Sequence, residues 1–141
     1  MRLKDLINTL EARIKGIDEF RILTDEQQNL RVREYQDEFS KEDFNWTPTF
    51  PCCFLNLEKG EFVKSASFQI LREEINVGLY IANDNSEIFD LIDSVIDTLT
   101  SLNNVVIDGK HITTNVLNWI KFRQINQIFV YKIDCVFTVA N

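Results

Sequence analysis

Long apolar runs are missing from this 141-residue sequence. No stretch approaches the roughly 18 residues that a membrane-spanning helix requires. Met1 to Gly16 carries charges throughout, so it is not expected to act as a secretory leader. Glycine and proline are scarce, at 4 and 2, which excludes a long flexible linker. No glycine-rich phosphate loop is present, and no Gly-Lys-Ser or Gly-Lys-Thr follows a strand pattern. Basic residues are outnumbered, leaving a net charge of -7. That balance speaks against sequence-specific nucleic-acid binding and against adsorption to an anionic membrane, both of which need clustered Lys and Arg.

Cysteine and histidine are equally thin. The three cysteines are Cys52, Cys53 and Cys135, an odd number containing an adjacent pair that geometry does not favour bridging. Reduced, partly buried thiols are the expectation. The single histidine, His111, stands beside an Asp108-Gly109 turn. Neither a catalytic triad nor a four-ligand zinc site can be assembled from these residues at any known spacing. Asp90, Asp93 and Asp97 recur along a helix face, where solvation explains them better than a cation, because calcium draws its ligands from a loop. No catalytic residue, cofactor site or metal site is therefore expected, and the chain reads as a non-enzyme.

The residues present describe alternating helices and strands. Leu3, Leu6, Ile7, Leu10 and Ile14 recur at spacings of three and four, predicting an amphipathic helix closed by Gly16 in a left-handed cap. Ile17–Leu23 reads as a short strand. Pro51–Leu57 reads as a second, ended by a turn at Glu58-Lys59-Gly60-Glu61. Ala66–Ala82 alternates with period two, most cleanly from Ile75 to Ile81. Asp84 followed by Glu87 predicts a capping box, and the apolar stripe behind it a helix to Leu102. A hairpin about Asp108-Gly109 follows, then strands at Leu117–Gln124 and Phe129–Val139, joined by a turn at Arg123–Gln127.

The predicted fold class is α+β, a single domain over residues 1–141. It has a mixed, mainly antiparallel sheet of about four or five strands, with two main helices packed on one face. Its expected core holds Leu6, Leu10, Leu79, Ile81, Phe89, Ile92, Val95, Ile96, Leu99, Ile133 and Phe137.

One segment fits none of these elements. Residues 24–45 are crowded with charge, with Leu30, Val32, Tyr35 and Phe39 scattered through them. Loops beyond about 15 residues are uncommon in compact domains and are usually functional or disordered. The segment reads as an arm, and those four residues as candidate contacts to a neighbouring subunit.

The order of these elements resembles the tail terminator, or tail completion, proteins of long-tailed bacteriophages and prophages. Four stretches carry the resemblance. They are the opening helix Met1–Lys15, the approach to a strand at Thr47-Pro48-Thr49-Phe50-Pro51-Cys52-Cys53-Phe54-Leu55, the strand Ile75–Ala82 running into the helix with Ile88-Phe89-Asp90-Leu91-Ile92, and the closing strand Phe129–Phe137. The resemblance implies a self-assembling ring, commonly a hexamer. The ring would sit on the head-proximal end of the tail tube, halt tube polymerisation and meet a neck or connector protein. It also implies assembly in the bacterial cytoplasm and a final place in the virion tail. An acidic ring would let DNA pass, since like charges repel. Two other readings of the same residues are a different head–tail connector component and a cytoplasmic protein-interaction adaptor.

Overall fold

The fold is described from a computed structural model, for residues 1–21, 31–40 and 50–140. Among the described residues, three helices and six strands follow in the order α1 (Leu3–Lys15), α2 (Asp18–Arg21), β1 (Val32–Glu34), β2 (Cys52–Lys64), β3 (Ile70–Asn83), α3 (Ile88–Ser101), β4 (Val105–Ile107), β5 (Lys110–Ile125) and β6 (Ile128–Ala140). The strands form one mixed sheet in the order β1-β2-β3-β6-β5-β4. Only the β1–β2 pair is parallel. The α+β class is as expected, but the sheet has six strands and curls into a half-barrel. On that curled sheet the two main helices do not form the clear one-face layer that was expected.

Helix α1 buries Leu6, Ile7, Leu10 and Ile14 of the stripe its spacing predicts, while Leu3 at its first turn stays exposed. Arg13 and Lys15 occupy its last turn, where the helix dipole favours cations. Gly16 is not in the left-handed region: its φ is -75° and its ψ is -10°. The chain therefore continues helically, with Ile17 N–H donating to Ile14 O at 3.0 Å, into the single turn of α2. This replaces the described part of the strand expected at Ile17–Leu23. Ile17 and Phe20, three apart, land on one side of a helix and are both buried there.

Strand β2 runs straight through the turn expected at Glu58–Glu61. Lys59, Gly60 and Glu61 pair with Asn76, Ile75 and Glu74 of β3, after a bulge at Glu58. The charges that suggested a turn are satisfied across the sheet surface instead. Glu58 binds Lys132 at 3.1 Å, and Lys59 pairs with Glu61 two residues on. The true turn is Ser65–Gln69. Phe68 N–H donates to Ser65 O at 2.9 Å there, and Ser65 N–H to Gln69 O at 2.8 Å.

Helix α3 begins at Ile88, without the side-chain cap expected from Asp84 and Glu87. Asn85 Oδ1 accepts the Glu87 N–H at 2.9 Å. The helix buries Ile88, Leu91, Ile92, Val95 and Leu99. Phe89, expected in the core, is 53% exposed, and Ile96 only packs against the core's margin. The stripe from Ile88 to Leu99 satisfies the three-and-four spacing without Phe89. That ring flanks the stripe and meets Tyr131 edge-on, centroids 5.7 Å apart.

Asp108 and Gly109 both have positive φ, 52° and 75°. This is the geometry that a two-residue hairpin requires, and it joins β4 to β5 as expected. Alternation along β3 and β6 sends Ile75, Val77, Leu79 and Ile81, with Ile133, Cys135 and Phe137, into one cluster with the buried residues of all three helices. The opposite face carries a second cluster of Phe39, Cys52, Phe54, Tyr80, Ala82 and Val130. Val32, Leu79, Ile81, Val95, Leu99, Ile133 and Phe137 are each at most 1% exposed.

Candidate interaction surfaces

The charged arm is partly a strand. Val32–Glu34 pairs with Cys53–Leu55 as β1, and Tyr35 N–H extends the pairing to Leu55 O at 2.7 Å. The chain then crosses the second face of the sheet. Tyr35 stacks on Tyr80 with centroids 4.0 Å apart, and Phe39 stacks on Phe54 at 5.4 Å. Arg123 on β5 donates from Nη1 to Phe39 O at 3.0 Å. Residues 31–40 thus strap the sheet to itself. Of the four residues expected at an interface, Val32 and Phe39 are buried inside their own chain and need no neighbour to cover them. Tyr35 is half-buried in the same aromatic stack. Leu30 lies outside the described residues, as does much of the 24–45 segment.

Burial accompanies the strap with an electrostatic cost. Glu38 is 8% exposed, and burial pushes its carboxyl above the usual range, against the hydrogen bond that its carboxylate accepts from Gln36 N–H. On the same face of the sheet, Lys132 sits between Glu58 and Asp134, at 3.1 Å from each. Burial draws this ammonium down, but the two carboxylates outweigh it and hold it above its ordinary value. Gly78 makes the room. A Cβ there would overlap the Glu58 carboxylate and come within 2.7 Å of Lys132 Cε.

The candidate chemical groups do not come together. Cys52 faces one cluster and its neighbour Cys53 the other, as strand alternation requires. Burial raises all three thiols, Cys53 and Cys135 to about 12. His111 is exposed beside the β4–β5 turn, opposite Val106. The row through Cys53 crosses Ile81 and Tyr131 to reach Lys121, ten residues along β5 from His111. At strand rise that is about 33 Å, far beyond any Cys–His contact. Among the described residues no three His, Cys, Asp or Glu side chains cluster as a metal site would need, and no helix is long and apolar enough to cross a membrane.

Two exposed surfaces were not located by the sequence patterns. Strand β5 is covered by β4 only at Lys110–Ile112, so among the described residues no strand lies along its outer edge beyond Ile112, where the Thr114 N–H donates to Asn103 Oδ1 at 3.2 Å. Leu117, Trp119, Ile120 and Phe122 are exposed along it. Two irregularities, at Leu117 and at Phe122, break its alternation. The second surface is the β2–β3 hairpin beyond β1, with Leu57, Phe62, Phe68, Ile70 and Leu71 exposed. At its tip Phe68 has a φ of 62° and is 83% exposed, an unusual combination for a large aromatic residue. A sequence signal did exist. From Glu73 to Gly109 there is no Lys or Arg, and from Lys110 to Ile133 no Asp or Glu. The β5 edge thus carries no acidic residue on an acidic chain.

No family model matches the sequence, and no curated protein matches it. Among solved structures, the chain is similar to one in the virion of a native gene transfer agent (GTA) particle. The TM-score is 0.64 at 9% identity, over 98% of this chain and 96% of that one. At that identity the likeness is one of fold, and it extends over nearly the whole of both chains.

Proposed function

We propose that this chain is a non-enzymatic structural protein of a phage-type particle. It forms a ring, of six copies in the commonest arrangement, that caps the tail tube and joins it to the neck. The observation that carries this reading is the end-to-end likeness of fold to a chain within a gene transfer agent virion. The tail-terminator pattern of helix, strand, helix and closing strand supports it. So does a sheet whose short outer strands, β1 and β4, leave stretches of β2 and β5 without a neighbouring strand among the described residues, because such edges are where subunits add to one another. The net charge of -7 suits a ring through which DNA passes without adhering.

The partners on this reading are further copies of the chain, the tail tube protein and the neck or connector protein. The chain would assemble in the bacterial cytoplasm and remain in the virion tail. Removing the gene from a particle-producing strain tests it. Tubes that grow past their normal length, shortened again by supplying the protein, are the expected result. Tails of normal length that fail to join heads would instead indicate another neck component. Particles unchanged in both respects would leave the cytoplasmic adaptor.

A further inference from the structure

We infer that the outer edge of β5 in one copy pairs antiparallel with the outer edge of β2 in the next, through Thr113–Asn118 and Asn56–Glu61. This deepens the ring reading and rests on its self-association half. It names the surfaces by which copies add head to tail.

The argument begins with which parts of each edge are covered. On one side of the sheet β1 occupies β2 only at Cys53–Leu55. On the other, β4 occupies β5 only at Lys110–Ile112. The two covers lie at opposite ends of the strands. Registers carried across the sheet show what is left between them. Asn56 is level with Gly78, Asp134 and Asn118, and Glu61 is level with Glu74, Thr138 and Thr113. A six-residue stretch on each edge therefore has no strand beside it, among the described residues, at one common height; within it the Thr114 N–H donates to Asn103 Oδ1 at 3.2 Å, a side-chain contact that the neighbour would replace or flank.

Direction agrees as well. β2 is antiparallel to β3, β3 to β6 and β6 to β5, so β2 and β5 run oppositely. A neighbour in the same orientation thus presents β2 to β5 antiparallel, and the alternation of the sheet continues unbroken. The two edges are different surfaces, so the contact is head to tail, and a rotation that closes gives a ring.

The side chains at that height fit. Leu57 is level with Val77, Cys135 and Val116, which places it opposite Val116 of the neighbour and one residue from Leu117, at the bulge. Both leucines are exposed in the single chain, at 38% and 55%. Glu58 and Glu61 would meet Thr113–Asn118, which has no Asp or Glu, so no like charges oppose. A contact of this size is small beside the roughly 1,200 Å² of a stable pair. Closure, in which every copy uses both edges, is what makes it persist.

Two variants with one added cysteine each test the pairing, Leu57→Cys and Leu117→Cys, both at exposed positions in a chain whose three native thiols are buried. After mild oxidation their mixture should give a covalent dimer on a non-reducing gel, while each variant alone stays uncrosslinked. The double variant should give a ladder ending at the ring size. Absence of the mixed dimer, or a Leu117→Cys homodimer as strong as the mixed one, overturns the assignment. Hydrogen exchange on the unmodified chain reads the same contact. The outward-facing amides of Asn56–Glu61 and Thr113–Asn118, other than Thr114, which already donates to Asn103, should gain at least tenfold protection as concentration rises, and unchanged protection would refute it. A ring seen by imaging without the crosslink sinks this edge assignment alone. The crosslink with tail length unaffected sinks the capping role alone.

Discussion

The ring of Tyr35 lies on the ring of Tyr80, with centroids 4.0 Å and planes 15° apart, and this stack holds a charged segment against the back of the sheet. Behind it Phe39 is fully buried against Phe54. Phe39→Ala should therefore cost about 3–5 kcal/mol in denaturant unfolding. Deleting residues 25–43 should destabilise the domain more strongly still. The deletion removes β1 and uncovers Phe54 and Tyr80 together. An excised domain that keeps its full stability would show that the strap contributes nothing to the fold.

Helix α3 offers a paired comparison. Leu99 is fully buried, whereas Phe89 is 53% exposed. Leu99→Ala should lower stability by about 2–5 kcal/mol, and Phe89→Ala by no more than about 1 kcal/mol despite losing the larger group. Equal losses at the two positions would mean that the helix is rotated from the register described.

Lys132 provides a prediction with a definite pH sign. Its folded-state value is raised above the ordinary 10.5, so its contribution is complete below that pH and is lost as pH rises through the folded value. Lys132→Met should cost about 1–2 kcal/mol at pH 8 and progressively less above pH 10.5. A penalty independent of pH would show that the alkyl chain, not the charge, holds the site. Gly78→Ala should disturb the same pair by pushing the Glu58 carboxylate aside. Introduced together with Glu58→Ala, it should cost less than it does alone.

What the sequence revealed depended on how many forces acted on each segment. Where one period decided, the reading held: Leu6, Leu10, Ile92, Val95 and Leu99 are buried as their spacing requires. Where two patterns competed, the local one misled. Glu58, Lys59 and Glu61 resemble a turn only while their partners across the sheet are unknown, because the pairing of Glu58 with Lys132 spans 74 residues. Phe20 fits an alternating strand with Ile22 and a helical turn with Ile17, and tertiary burial selects the helix. Val32 and Phe39 looked stranded among charges, since nothing local indicates that Phe54 and Tyr80 await them. The open β5 edge was hidden for a different reason. Two bulges scramble its alternation, and edge position is a property of the whole sheet order rather than of the strand.

The thiols give the last prediction. Cys52 and Cys53 are fully buried on opposite faces of β2, and Cys135 is buried opposite Val77 on β6. Burial in apolar surroundings disfavours the thiolate, which is the reactive form, and raises Cys53 and Cys135 to about 12 from an ordinary 9.0. The folded protein should therefore resist alkylation at pH 8, and all three cysteines should react once denaturant unfolds it. Because the folded values are raised, the stability attached to these groups is complete below pH 9.0 and declines as pH rises toward 12. Replacing Cys53 with Ala should remove part of that decline while costing a small cavity, about 1 kcal/mol at neutral pH. Rapid labelling of any one of the three in the native protein, at rates near those of the unfolded chain, would mean that its strand opens to solvent and that the core described for β2 or β6 is not closed.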